Sequence, residues 1–278
     1  MLDVLIVGAG IVGTLVARAL SVHRLRVALA DRASDVGAGA TRANSAIVHS
    51  GYDPEPGTAK ARLNAEGNRE MEGLCRALHV PFRRNGSLVV AFDPEEEAML
   101  RLLLDRGRRN GVPGLALLDP GEVRSLEPAV SDRIVAALLA PTGGIVSPYG
   151  LAVAAAEVAV ANGVGLWLDS ELVALERLPA ATGAPGSDGR RGFRATLRDP
   201  DGVHRVADAR YVVDAAGVYA DDVARLAGDN SFRIRPRKGE YLLYDTIHGS
   251  LLSHTIFQVP SERGKGVLAT PTVDGNLL

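Results

Sequence analysis

The sequence predicts an α/β protein in which one doubly wound domain is discontinuous and a strand-rich α+β domain is inserted through it. Three observations carry this expectation. The chain opens on a short apolar strand, a glycine turn and a helix, "DVLIVGAGIVGTLVARAL". A second strand, glycine turn and helix, "ARYVVDAAGVYADDVARLAG", recurs far downstream. Between and after these units lie stretches that read mostly as strands and turns. A length of 278 residues with 46% hydrophobic and 23% charged residues suits one large or two modest domains with a sizeable core. The expected division assigns residues 1–80 and 145–230 to the doubly wound domain, and 81–144 and 231–278 to the inserted one.

Taken in order, Ile11, Val12, Leu15, Val16, Ala19 and Leu20 recur at helical spacing after the first strand. "RVALADR", Arg26 to Arg32, reads as a second buried strand ending in an acid. A long helix is expected from Ala59 to Leu78, with Leu63, Met71, Leu74 and Leu78 on its apolar face. Leu88 to Phe92 is a strand, after which Asp93, Pro94 and Glu96 supply an N-cap, a first-turn proline and a capping-box acid for the next helix. A strand at Ile134 to Ala140 leads to a helix opened by Ser147 and Pro148 and closed by Gly163. Strands around Gly165 to Leu178 and Phe193 to Arg198 flank "PAATGAPGSDGRRG", a loop by its glycine and proline content. From Phe232 onward, strands and turns are expected.

Composition narrows the function. A net charge of −2 gives no bulk attraction to nucleic acid or an anionic membrane, so any anion site must be local. The single cysteine, Cys75, allows no intrachain disulfide and no cysteine-based metal cluster, and reads as core filling. No metal site is expected. Neither a signal peptide nor a transmembrane segment is read from the chain, so a cytoplasmic setting is the expectation.

Gly8, Gly10 and Gly13 form GxGxxG directly between strand and helix. The first permits the tight turn, the second lets a pyrophosphate approach the backbone, and the third lets helix and strand pack closely. The helix N-terminus then offers unpaired N–H groups to phosphate. Asp31 closes the second strand, where a carboxylate can accept hydrogen bonds from a ribose. This Rossmann-like arrangement predicts a dinucleotide. Instead of regular strand–helix units, the second strand runs into "GAGATRANSAIVHSGYD", a glycine- and hydroxyl-rich segment suited to a longer cofactor. With the second turn at Val212 to Gly217, the pattern favours FAD over NAD.

At these residues the chain resembles the D-amino-acid-oxidase-type superfamily of FAD-dependent oxidoreductases. Within it, the resemblance is to anaerobic-type glycerol-3-phosphate dehydrogenases and L-2-hydroxyglutarate oxidases. It rests on "VLIVGAGIVG", "GATRANSAIVHSGYDPEPGTAKARLN", "GGIVSPYGL", "VVDAAGVYAD", "RPRKGEY" and "HTIFQVP…GKGVLATPTVDGNLL", which span the chain. The resemblance implies FAD as cofactor, with Gly8, Gly10, Gly13, Asp31 and Arg32 at its ADP half. Thr41, Asn44 and Ser45 would lie along the pyrophosphate and ribityl chain, and the backbone of Val173 would meet the adenine. Ala216 and Gly217 would form the second phosphate-facing turn. It implies oxidation of a small anionic hydroxy compound, with sn-glycerol 3-phosphate first and L-2-hydroxyglutarate, another hydroxy acid or an amino acid as alternatives. An electron acceptor, a protein or a quinone, is implied as partner. A flavin-binding subunit or fragment without activity of its own is the reading from another class.

Oxidising a secondary alcohol on a flavin needs a hydride acceptor, a base for the hydroxyl proton and a cationic grip on the anionic group. Histidine is the side chain able to take up a proton near neutral pH, so His49, in "NSAIVHSGY", suits the base, though a lone histidine among apolar residues also reads as a core residue. In the family this position falls beside the flavin ring, where some relatives instead attach flavin through histidine. Arg237 and Lys238, with Arg235, read either as a solvated turn or as the grip. Tyr52 and Tyr241 are weaker candidates, His254 reads as structural or pocket-lining, and His23, His79 and His204 carry no motif. In the family the closing "TPTVDGNLL" leads into a further strand, glycine turn and helix. The chain is therefore expected to be truncated, to hold FAD weakly and to turn over little.

Overall fold

The computed structural model describes residues 1–179, 192–259 and 266–278. The glycine- and proline-rich segment expected as a loop falls outside them from 180 to 191. The described chain divides into two compact units, Met1–Asn44 with Pro148–Gly239, and Ser45–Ser147 with Glu240–Leu278. Residues 45–80, expected with the first domain, group with the second unit.

In the first unit we label β1 (Leu2–Val7), α1 (Ile11–Leu20), β2 (Val27–Ala30), α2 (Pro148–Ala161), β3 (Gly165–Trp167), β4 (Glu171–Arg177), β5 (Phe193–Arg198), β6 (His204–Asp214) and α3 (Ala220–Leu226). The strands form one sheet in the order β4-β5-β6-β1-β2-β3. β1 runs parallel to both β6 and β2, β2 runs parallel to β3, and β4, β5 and β6 form an antiparallel meander. Both faces of β1 and β2 are covered, which explains the unbroken apolar runs Val4–Val7 and Val27–Ala30. On one side Val4, Ile6, Val27 and Leu29 pack with Ala17 of α1 and Ala156 and Ala159 of α2. On the other, Leu5, Val7, Ala28 and Ala30 pack with Leu197, Ala209 and Val223. Alanines on α2 let the two helices approach closely. Truncating a fully buried side chain such as Leu5 or Leu29 to alanine typically costs roughly 2–5 kcal/mol.

The second unit is built on a mixed five-stranded sheet. Its strands Leu268–Ala269, Thr255–Gln258, Ser87–Ala91, Ala136–Ala140 and Ala116–Leu118 follow one another in that order. Thr255–Gln258 is parallel to Ser87–Ala91 and the other pairings are antiparallel. Helix Pro94–Arg109 covers the sheet with Leu100 and Leu103, and its Asp93 cap accepts the Glu96 N–H at 2.8 Å, as the sequence predicts. A three-stranded sheet joins Ile47–Val48, Gly144–Val146 and Phe82–Arg83.

The helix Ala59–Ala77 buries Ala61, Ala65, Asn68 and Cys75, whereas Leu63, expected on its apolar face, is 55% exposed. Asn68 explains both the helix's orientation and its grouping with this unit. Its Nδ2 donates to Thr142 O at 2.8 Å and its Oδ1 accepts from Arg84 Nη1 at 3.2 Å. Burial pushes the Cys75 thiol up to about 11, as suits a packing residue. His254 is structural. Its ring Nδ1 and its backbone N–H both bond Glu127 Oε1, and that carboxylate, 1% exposed, also takes the Ser253 N–H.

Of the region expected as strands and turns from Phe232 onward, Thr255–Gln258 and Leu268–Ala269 are strands. Residues 240–244, directly after "RPRKG", form none, and the isolated bridge Tyr244–Leu277 is their one pairing. Leu242 and Leu243, 72% and 65% exposed, have no neighbouring strand among the described residues to complete a ladder.

Candidate functional site

The first unit carries a groove of about 540 Å³, within the size range of cofactor sites, at the carboxyl ends of β1, β2 and β6. Gly8, Gly10, Asp31, Arg32, Thr41, Asn44, Ala216 and Gly217, all expected from the sequence, line it. Gly13 is not in the lining. A Cβ there would fall 1.8 Å from the Gly8 carbonyl oxygen, so its role is the close packing of α1 on the turn.

The two glycine turns are fitted backbone to backbone. Gly8, at φ +106°, could carry no side chain, because a Cβ would lie 2.4 Å from Ala215 O. The Gly8 N–H donates to Ala30 O and the Ala215 N–H to Val7 O, both at 2.8 Å, which fixes the turns to β2 and β1. A Cβ on Gly10 would meet only Thr41 Oγ1, at 3.2 Å. That hydroxyl accepts the Ile11 N–H at 3.0 Å, so Thr41 also caps the start of α1. The N–H groups of Val12 and Gly13 follow in the first helical turn, where no intrahelical acceptor exists.

Asp31, expected to receive a ribose, is already part of the turn's scaffold. Its Oδ2 accepts the Ala9 N–H at 2.6 Å and its Oδ1 the Ala33 N–H at 2.8 Å. Each carboxylate oxygen accepts two hydrogen bonds, so capacity for a ribose hydroxyl is left. The Arg32 guanidinium lies 4.0 Å from the Tyr219 ring centroid, a cation–π pair of two groove residues. Tyr219 was not read from the sequence.

Val173 does not line the groove; its neighbour Leu172 does. The β4–β5 register passes from Leu172 opposite Leu197 to Ala174 opposite Thr196, so Val173 sits in a bulge without a register partner. Ser45 belongs to the second unit. Arg237 and Lys238 are exposed, in the irregular segment that ends the first unit, and are not among the groove residues.

Beside the groove, the Asp214 carboxyl is held above the usual carboxylate range, by partial burial first and by nearby Asp221 second. Its Oδ1 accepts the Ala216 N–H at 3.0 Å, which opposes the shift. A raised folded-state pKa means the ionised form is penalised by folding. Stability linked to Asp214 is therefore fully present below the unfolded pKa and lost as pH rises through the higher folded one. Asp214→Asn should thus raise the melting temperature slightly at neutral pH, with the gain vanishing near pH 4, roughly the unfolded carboxylate pKa. Thermal scans across that range test it; a variant less stable than the parent at pH 7 refutes it.

In the second unit, His49 is exposed at the end of the strand Ile47–Val48, with its ring stacked on Phe257 at 5.8 Å and 26°. It is therefore not a core histidine. Its carbonyl accepts Asn68 Nδ2 at 3.1 Å. The next turn is pinned by Asn110 Nδ2, which donates to Gly51 O at 2.9 Å and Pro54 O at 2.8 Å. Tyr52 is buried in this unit's core, and burial drives its phenol pKa upward, so it packs rather than reacts. Tyr241, His23, His79 and His204 are exposed.

The family described as FAD dependent oxidoreductase (DAO) matches residues 3–278. Over its whole length the chain is 46% identical to the glycerol 3-phosphate dehydrogenase of Caloramator mitchellensis, of which it covers 55%. It is 32% identical, over 98% of its length, to the mitochondrial L-2-hydroxyglutarate dehydrogenase of Mus musculus, of which it covers 58%. Among solved structures it resembles dithionite-reduced L-alpha-glycerophosphate oxidase from Mycoplasma pneumoniae with FAD bound. That likeness has a TM-score of 0.81 at 27% identity, over 99% of this chain and 70% of the other. The chain spans about half the length of the curated relatives it matches.

Proposed function

The chain belongs to the DAO family of FAD-dependent oxidoreductases, and on that premise we propose that the groove of its first unit holds FAD and that the protein oxidises sn-glycerol 3-phosphate to dihydroxyacetone phosphate. The observation that carries the substrate is the 46% identity, across the whole chain, to a glycerol 3-phosphate dehydrogenase. The groove fits the cofactor: lined by the glycines of both turns, supplied with N–H groups from a helix start, and bearing the Arg32–Tyr219 pair in its lining. Bound FAD supplies the acceptor for the hydride that leaves the carbinol carbon.

The chain's own residues supply the rest. The first-turn N–H groups of α1 and the Ala215–Gly217 turn receive the pyrophosphate, and Asp31 accepts a ribose hydroxyl through its remaining lone pairs. His49 accepts the substrate's hydroxyl proton on its unprotonated ring nitrogen. Stacking on Phe257 supports that role by packing one face of an exposed imidazole, and the Asn68 bond to its carbonyl fixes the backbone that carries it. Arg237 and Lys238 grip the phosphate. Neutralising either should weaken substrate binding roughly tenfold or more while leaving FAD affinity in place; unchanged kinetics in both single variants make the segment a solvated turn. Reoxidation requires an acceptor, a protein or a quinone. The lone, buried Cys75 supports a reducing compartment such as the cytoplasm.

A second reading, oxidation of L-2-hydroxyglutarate, rests on the 32% identity to that dehydrogenase. Anaerobic titration of the FAD-loaded protein with each compound decides between them. Bleaching of the flavin absorbance by glycerol 3-phosphate at lower concentration supports the first reading, and preferential bleaching by L-2-hydroxyglutarate replaces it with the second.

A further inference from the structure

We propose that Tyr149 and Asp35 form a clasp that fixes the loop between β2 and Asn44 and so makes Tyr149 a positioning residue for the cofactor. The inference rests on the reading of the groove as the FAD site. The loop supplies Ala38, Gly39, Ala40 and Thr41 to the groove wall, yet its only regular structure is the single turn Ala40–Arg42. A wall built this way must be held in place by ties to its surroundings, or binding must bear the entropy of ordering it.

Three ties come from the glycine turn itself. The Ala9 N–H bonds Asp31 Oδ2, the Gly37 N–H bonds Ala9 O at 2.8 Å, and the Ile11 N–H bonds Thr41 Oγ1. Backbone bonds of Asp31 to Trp167 and Ser170, and of Ala33 to Asp169, hold the loop's first residues, and a further tie, in its middle, comes from 114 residues away in sequence. Tyr149, in the first turn of α2, donates its hydroxyl to Asp35 Oδ2 at 2.5 Å. Its ring lies close against Gly37, where an added Cβ would come within 3.1 Å of Tyr149 Cδ2 and 3.5 Å of its Cε2. Gly37 stands at φ +67°, so glycine serves twice there, for the backbone conformation and for the closeness of the ring.

Asp35 Oδ1 accepts the N–H of Val36, whose side chain is buried in the core under α1 and α2. The clasp therefore links the rim of the groove to the sheet's hydrophobic layer. The Tyr149 hydrogen bond holds the Asp35 carboxyl below its usual range and the same bond pushes the Tyr149 phenol up, with Arg42 as the nearby positive charge. A phenol donating to an ionised carboxylate is a charge-assisted bond that persists through the neutral range.

No residue of the clasp is in the groove lining, so it acts on FAD only through the loop. Tyr149→Phe removes the donor and keeps the ring against Gly37. Asp35→Ala removes the acceptor. Each should raise the FAD dissociation rate roughly three- to tenfold, the range for one net hydrogen bond. The double variant should dissociate no faster than the faster single one, and the small fall in melting temperature that loss of the bond brings to the FAD-free single variants should not deepen in the double. Dissociation is read from recovery of flavin fluorescence after dilution, with Gly10→Val in the groove as reference. Unchanged rates in Tyr149→Phe, or additive effects of the two substitutions in the double variant, overturn the clasp. If the clasp variants behave as the parent while Gly10→Val releases FAD, the clasp alone is wrong; if Gly10→Val also retains FAD, the groove assignment falls with it.

Discussion

Gly10→Val should abolish FAD binding while leaving a cooperative unfolding transition in place, and Gly13→Ala, three residues on, should damage the fold itself. The two glycines look equivalent in the motif but face different neighbours. At Gly10 the backbone is at φ −73° and ψ −178°, extended geometry that any residue adopts. An added Cβ there meets only the Thr41 hydroxyl, at 3.2 Å, a side-chain atom able to shift by a few tenths of an ångström. The remaining valine methyls then fill the floor of the groove, where the pyrophosphate would pass. At Gly13 an added Cβ falls 1.8 Å from Gly8 O. That carbonyl cannot retreat, because Gly8 is tied to Ala30 and packed on Ala215. Helix α1 must lift off β1, opening the Ala17, Ile6 and Leu29 layer to loss of contact. Overpacking of this kind costs roughly 1–3 kcal/mol and occasionally more, and a clash with fixed backbone belongs at the upper end. Thermal melts and FAD titrations of both variants check the pair. Stoichiometric flavin in Gly10→Val counts against the turn as a phosphate site, and a parental melting temperature in Gly13→Ala counts against the packing argument.

The difference between these two glycines marks how far the sequence is informative. Local chemistry is legible. The strand, glycine turn and helix, the acid at Asp31, and the Asp93 cap all follow from neighbours within a few residues, and each appears in the structure. What depends on distant partners is not. The Val173 bulge changes which residue of β4 reaches the groove, and alternation of side chains gives no warning of an inserted residue. The helix Ala59–Ala77 turns small residues and Asn68 inward instead of Leu63, because the carbonyl of Thr142 and the guanidinium of Arg84 are waiting there. Tyr149 and Asp35 meet across the fold with no signal in either segment. Residues 240–244 have strand-like composition, but composition cannot make a ladder where the described residues offer them the single bridge Tyr244–Leu277.

His49→Ala should leave FAD bound and slow flavin reduction by substrate by roughly two to four orders of magnitude, the usual range for a general base. The sequence alone left His49 open between a packed residue and a reactive one. Its exposure removes the first option, while the stack on Phe257 keeps the imidazole from being a freely rotating surface group. Asn68 adds a second constraint by bonding the His49 carbonyl and the Thr142 carbonyl through one amide. An exposed imidazole held on both its ring face and its backbone is pre-organised for proton transfer, where small displacements are costly. The expected variant therefore separates two effects. FAD affinity and melting temperature should stay near the parent, since the removed ring is exposed and lies outside the unit's core, while the single-turnover bleaching rate falls. Reduction in the parent should speed up as the pH rises, because the neutral imidazole is the form that accepts the proton, and that pH dependence should disappear in His49→Ala. A bleaching rate within a few-fold of the parent, or a pH profile unaltered by the substitution, assigns the proton to another group and leaves His49 as a surface residue stacked on Phe257.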